Sequence, residues 1–293
     1  MLPQSFTPEF LRQLELVKIR SRRQFLGSRQ GGHVSLKKGH GIEFSDYREY
    51  ELGDNPRHID WGVYARSERL YVKKYQEEQD LNVYIILDTS RSMLMPEAES
   101  KWPKAVEIAL ALAYVALMEQ DSVTLLAPGY LRSPSYYGGR AIHQLSKSLM
   151  QLAPTGHEDF VTPLRAQSAR LKFPGVAVVI SDLLMPQAEI REAFNLLRSR
   201  NLDITAIQLL SQGEKSPLPA TESARVVDSE TGEELDLALT PEFRQDYAIL
   251  LSDHLNAVRE FLNSSRIPLV ETSNTEPLAS FITQNLLTIG LLR

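Results

Sequence analysis

The 293-residue chain predicts an α/β fold. A doubly wound, mostly parallel sheet is expected over residues 79–293, after a small N-terminal helix and β or irregular module over 1–78. Three observations carry this prediction. Short apolar runs of strand length, VYIIL at 83–87 and GVAVVI at 175–180, read as strands covered on both faces. Such runs alternate with helical patterns from Leu81 onward, the rhythm of a parallel sheet with right-handed crossovers. The charge changes sign along the chain: residues 1–75 carry a net +5 and residues 76–293 a net −10, as two modules with different surfaces would.

The elements follow in order. Thr7 is an N-cap candidate and Pro8 suits a first turn, while Phe10, Leu11, Leu14 and Val17 recur at helical spacing, so a helix is expected from Pro8 to about Arg23. Gly27, Gly31 and Gly32 then break it. Residues 34–75 lose helical periodicity and read as the β or irregular module. Strands are predicted at 81–87, 122–127, 175–181, 202–209 and 267–271. Helices are predicted at 103–119, 140–152, 162–172, 187–200, 241–264 and 277–289, with hairpins around Tyr136–Gly139 and Ser229–Gly232. Pro103, Pro186, Pro241 and Pro277 each mark a helix start.

Composition narrows the function classes. With 43% hydrophobic residues the chain supports a sizeable core, and the absence of Cys excludes disulfides and thiolate chemistry. The first ten residues lack the basic start and apolar stretch of a signal peptide, and no run of about 18 apolar residues encodes a membrane span, so a cytoplasmic location is expected. Arg20, Arg22 and Arg23 form the densest basic cluster. Without interleaved aromatics it reads as a solvated helix end rather than a nucleic-acid contact. No paired-histidine zinc motif, phosphate-binding Gly-rich Lys loop or Gly-x-Ser-x-Gly elbow occurs.

The most informative feature is the end of strand 81–87, which runs into Asp88-Thr89-Ser90-Arg91-Ser92. In open α/β sheets, ligands gather at the carboxyl ends of the strands. One carboxylate and two hydroxyls there suit a hard cation such as Mg²⁺ or Mn²⁺, although Asp and Ser are also ordinary N-caps. Strand 175–181 ends the same way, in Ser181-Asp182, and the polar loop Thr155–Phe160 opens a later helix. This Asp-x-Ser-x-Ser, loop and strand-end Asp pattern resembles the metal-ion-dependent adhesion site of von Willebrand factor A domains.

That resemblance implies that Ser90 and Ser92 ligate the cation directly, that Asp88 and Asp182 act mostly through bound water, and that an acidic side chain of a partner fills the open position. Glu158 stands where the family expects a loop Thr; it would either add charge to the site or occupy the partner's place.

Residues 39–75 carry a second resemblance, to the family known as domain of unknown function 58. Its ordered motif falls on Gly41, Glu43, Phe44, Asp46, Arg48, Tyr50, Gly53, Asp54, Arg57, Ile59, Asp60, Trp61, Ala65 and Arg66. Interleaved Asp and Arg suit bidentate ion pairs. Arg48, Arg57 and Arg66 are therefore expected to pair with Asp46, Asp54 and Asp60, with Trp61 as a core anchor, in preference to a cluster of catalytic carboxylates. The resemblance implies a non-enzymatic adaptor or co-chaperone working with a MoxR-type AAA+ ATPase. A metal-dependent hydrolase, a phosphoesterase or nuclease using the same oxygen cluster, is the alternative.

Overall fold

The computed structural model describes residues 2–22, 42–77, 81–129, 131–152, 154, 160–173, 175–215, 223–227 and 234–293. Helix α1 spans Pro8–Leu14, and the Thr7 hydroxyl accepts the Phe10 amide as its N-cap. It ends well before Arg23. The chain instead turns, and Lys18 and Arg20 hydrogen-bond antiparallel to Leu291 and Arg293 near the C-terminus. The expected helical register held only where its face is buried: Phe10 and Leu14 pack in the core, and Val17 and Ile19 join the same core from non-helical backbone. A tertiary backbone partner has overridden local periodicity here.

The chain divides into two compact units, residues 24–80 and the remainder, Met1–Arg23 with Leu81–Arg293. The boundary differs from the 1–78 and 79–293 division expected from sequence, because the first residues bury Phe6, Phe10 and Leu14 in the core of the α/β unit.

The smaller unit pairs β1 (Ile42–Glu49) antiparallel with β2 (Tyr71–Glu77). Between them lie a 3₁₀ turn at Pro56–His58 and helix α2 (Trp61–Ser67), an element not expected from the sequence. Its start is set by Asp60, whose Oδ1 accepts the amides of Gly62 and Val63. Ile59 bridges to Val72, and both are buried.

The larger unit follows the predicted alternation. Its elements are β3 (Asn82–Leu87), α3 (Trp102–Met118), β4 (Ser122–Ala127), β5 (Leu131–Arg132), β6 (Tyr136–Tyr137), α4 (Ile142–Met150), α5 (Val161–Ser168), β7 (Gly175–Ser181), α6 (Gln187–Ser199), β8 (Asp203–Leu209) and the single turn α7 (Gln212–Lys215). After these come a separate antiparallel pair, β9 (Ser223–Val227) and β10 (Glu234–Ala238), then α8 (Pro241–Ser264) and β11 (Leu269–Thr272). A helical stretch closes the chain: Leu278–Ser280, π-helical Phe281–Asn285 and Leu286–Thr288. The turn between β9 and β10, expected at Ser229–Gly232, lies outside the described residues.

The sheet order is β11-β8-β7-β3-β4-β5, with β6 also on β4. The five strands from β11 to β4 are parallel, and β5 and β6 run antiparallel on the outer edge. The chain does not turn back at Tyr136–Gly139, where a hairpin was expected: β5 and β6 are two short strands laid on β4, interrupted at Ser133 and Pro134, and Gly139 opens a 3₁₀ turn. The Ser133 hydroxyl accepts the Leu125 amide there. Side chains of β3 alternate between the two layers. Val83, Ile85 and Leu87 face α1, α3, α4 and the C-terminal helical stretch, while Tyr84 and Ile86 face α5, α6 and α8. Helix α3 is buried almost all round, as its apolar sequence requires; its Glu107 accepts a bond from Ser5 at 2.6 Å.

This order contains one switch point. From β3 the chain crosses to β4 on one side, whereas β7, β8 and β11 extend the sheet on the other. The crevice at the carboxyl ends of β3 and β7 is where such a sheet places a ligand.

Candidate functional site

Strands β3 and β7 are hydrogen-bonded neighbours, in register from Asn82↔Gly175 to Leu87↔Ile180. The residues that follow, Asp88 on one and Ser181-Asp182 on the other, therefore emerge side by side. The Asp88 amide bonds the Ile180 carbonyl, and the Ser181 hydroxyl donates to Asp88 Oδ2 at 2.6 Å. Asp88 Oδ1 accepts the Ser90 amide at 2.9 Å, which folds the loop back over the strand end. The hydroxyls of Ser90 and Ser92 lie 2.8 Å apart. Thus the structure brings together Asp88, Ser90 and Ser92, with Asp182 close enough to act on Asp88 electrostatically.

The burial is layered. Asp88 and Asp182 are each 1% exposed, while Ser90 and Ser92 are half-buried and Arg91 is exposed. The two half-buried serines thus lie over two nearly inaccessible carboxylates, and the Ser90 side chain as well as its amide bonds Asp88. Burial, reinforced by the neighbouring Asp182 charge, pushes the Asp88 carboxyl up to about 6 despite the bonds from Ser181 and Ser90.

The tip of β7 is fixed by its own turn. Leu183 takes φ +55°, a left-handed conformation that a branched apolar side chain rarely adopts. Its amide is held by the Ser181 hydroxyl, the Leu184 amide by Asp182 Oδ1, and its carbonyl by His254 Nε2 of α8 at 2.8 Å. Gln208, buried on β8, donates to the Asp182 carbonyl. These four contacts hold the strained turn in place and with it the direction of Asp182.

Two functional candidates escaped the sequence reading. Lys101, at the N-terminal end of α3, is 0% exposed, and its Nζ donates to Asp182 Oδ2 at 2.8 Å and also to Glu214 Oε1. Glu214 belongs to a reciprocal cap of α7: its Oε2 accepts the Ser211 amide, and the Ser211 hydroxyl accepts the Glu214 amide. Burial raises the Glu214 carboxyl while the Lys101 ammonium opposes that shift. The Ser211-x-x-Glu214 spacing after a buried strand was a legible capping signal. Nothing in the local sequence marks Lys101, since a cation at a helix N-terminus opposes the helix dipole.

The donor set was tested against a divalent cation. Two half-buried serine hydroxyls beside the Asp88 carboxylate form a hard-oxygen donor set, which suits Mg²⁺ or Mn²⁺. Among the described residues, no three His, Asp or Glu side chains group into a metal cluster. Glu158 lies outside the described residues, with the rest of the loop 155–159.

In the smaller unit the expected pairing is partly different. Arg48 pairs with Asp54 at 2.7 Å, as expected. Asp60 serves α2 as its cap and also accepts the Tyr47 hydroxyl, while Arg66 donates to the Gly62 carbonyl. The pairing expected of Asp46 lies outside the described side chains. Trp61 is 59% exposed and meets Tyr64 edge to face, so it is no core anchor: as the first residue of α2 it sits on an open helix face. The basic cluster also differs from expectation, for the Arg22 guanidinium is an ion-pair partner of Asp203 at the start of β8.

Known proteins place this geometry in context. The chain is 26% identical over 270 residues to the uncharacterized protein Rv1480 of Mycobacterium tuberculosis and to Mb1516 of Mycobacterium bovis, covering 90% of this chain and 84% of each relative. Among solved structures it resembles the conserved hypothetical protein BatB from Bacteroides thetaiotaomicron, with a TM-score of 0.43 and 14% identity over 71% of this chain and 98% of that one. An aerotolerance-related membrane protein from Bacteroides fragilis gives a TM-score of 0.42 and 16% identity over 71% and 99%. The family model described as protein of unknown function DUF58 matches residues 46–257, from β1 of the smaller unit through most of α8, and the chain belongs to that family.

Proposed function

We propose that this chain is a non-enzymatic adaptor or co-chaperone of a MoxR-type AAA+ ATPase, and that it engages partners through the tip of β3 and β7. In this proposal Ser90 and Ser92 present their hydroxyls to Mg²⁺ or Mn²⁺, with Asp88 behind them, and an acidic side chain of the partner meets the cation from outside. The cation supplies the positive charge that makes the face selective for a carboxylate.

The observation that supports this most directly is the layering of the tip: half-buried Ser90 and Ser92 over a nearly inaccessible Asp88. A surface of this kind orients a cation and offers it outward. It is poorly arranged for hydrolysis, because each carboxylate oxygen of Asp88 and Asp182 already accepts a bond, from Ser90, Ser181, Leu184 or Lys101. A general base needs a carboxylate within reach of a substrate proton. Among the described residues no helix is long and apolar enough to cross a membrane.

The test is association of the chain with a purified MoxR-type ATPase in Mg²⁺. Binding is expected to vanish on adding EDTA and in Asp88→Ala. Binding that persists unchanged through both treatments would remove the tip from the interaction.

A further inference from the structure

The charge inventory of the tip raises a separate question. Two carboxylates, Asp182 and Glu214, share one buried ammonium, that of Lys101, and Asp88 lies close enough to Asp182 to feel its charge. Lys101 sits at the N-terminal end of α3, where the helix dipole disfavours a cation, and it does not cap that helix with its side chain. Its backbone is pinned instead: its amide bonds the Met93 carbonyl, and its carbonyl accepts the Ala105 amide. The adjoining loop is tied to α7, where Glu99 Oε2 accepts the Gly213 amide. The ammonium is thus held across the sheet edge between Asp182 Oδ2 and Glu214 Oε1, chain segments 81 and 113 residues away.

We propose that Lys101 is the resident cation of the strand tip: it takes Asp182 for itself and so confines a divalent ion to the Asp88–Ser90–Ser92 side. The inference rests on the adhesion-type reading of the tip and changes its ligand set. Asp182 would then not be a metal ligand, direct or through water, although it matches the position the resemblance assigns. An anion already paired with a buried ammonium adds little attraction for a second cation. Lys101 is accordingly a positioning residue. It sets how much negative charge the tip offers, and it fastens α7 to the end of β7. The tip also keeps its geometry without a divalent ion, since an internal charge balances Asp182.

Manganese binding separates the possibilities. Mn²⁺ would be titrated calorimetrically into the metal-free native chain, Asp182→Asn, and the double variant Lys101→Met/Glu214→Gln. The double variant removes the ammonium together with one of its carboxylates, so that Asp182 alone is released. The proposal expects Asp182→Asn, in which Glu214 still pairs the ammonium, to bind within about threefold of the native affinity. It expects the double variant to bind at least tenfold more tightly, and its Tm to rise further on adding Mn²⁺ than the native Tm does.

A tenfold loss in Asp182→Asn would make that residue part of the metal site and overturn the proposal, leaving the adhesion-type reading intact. Equal affinity in the native chain and the double variant would also overturn it. Binding by the double variant alone would uphold the role of Lys101 while removing the metal from the native tip. If neither bound, both ideas would fall. Should the double variant fail to fold, the Asp182→Asn titration decides alone.

Discussion

Two regions of this molecule are built from interleaved acidic and basic residues, and they use them in opposite ways. In the smaller unit, Arg48 pairs with Asp54 six residues away in a partly exposed contact, and Asp60 caps the helix that follows it. At the strand tip, Lys101 reaches Asp182 and Glu214 across 81 and 113 residues of chain and is buried completely. Exposed pairs are worth little, about 0–1 kcal/mol, because water and salt screen them. Breaking a buried pair leaves an uncompensated charge and costs about 3–5 kcal/mol. The longest motif in the sequence therefore marks local turn chemistry, whereas the strongest electrostatic constraint comes from a lysine that no motif contains.

That contrast can be broken by substitution, starting with its largest expected effect. Lys101→Met, which strands two carboxylates, should lose about 3–5 kcal/mol of unfolding free energy in metal-free buffer, as read by urea denaturation. A loss below about 1 kcal/mol would put the pair in the same class as the surface contacts.

Asp88 gives the next effect, through pH. Its carboxyl is raised to about 6 in the folded chain, against about 3.9 for an unfolded one. Proton binding therefore favours the folded state. The contribution is fully present below about pH 4 and is lost as pH rises through about 6, on the order of 3 kcal/mol. In metal-free buffer, Asp88→Asn should close most of that gap: its stability should change much less than that of the native chain between about pH 4 and about pH 8. Parallel pH profiles for the two proteins would remove Asp88 as the titrating group.

Within the smaller unit the effects should shrink. Asp60→Ala removes the cap of α2 and should cost about 1 kcal/mol of local stability, seen as faster amide exchange at Gly62 and Val63. Asp54→Asn, at that local and partly exposed pair, should leave the global unfolding midpoint where it is. A shift as large as that of Lys101→Met would erase the distinction between the regions.

What the sequence disclosed follows the same division. Strands β3, β7 and β8 were legible because burial on both faces requires continuous apolar runs, and α8 because Pro241 announces it. Asp88, Ser90 and Ser92 were legible because they follow directly on such a strand. Helix α2 was missed because its seven residues, led by an exposed Trp61, bury no face and leave no periodic signal. The C-terminal part of the first predicted helix was lost to a backbone partner more than 270 residues away, at Leu291–Arg293. Lys101 was invisible for a similar reason: its significance lies in two contacts that exist only once the sheet order is set.

The role proposed for the tip of β3 and β7 requires that it hold a divalent cation through the Asp88 side. The direct measurement is a calorimetric titration of Mn²⁺ into the metal-free native chain beside Asp88→Ala. Saturable binding at one site in the native chain, absent from the variant, is the predicted result. No binding at millimolar metal, or the same binding in both proteins, would contradict it.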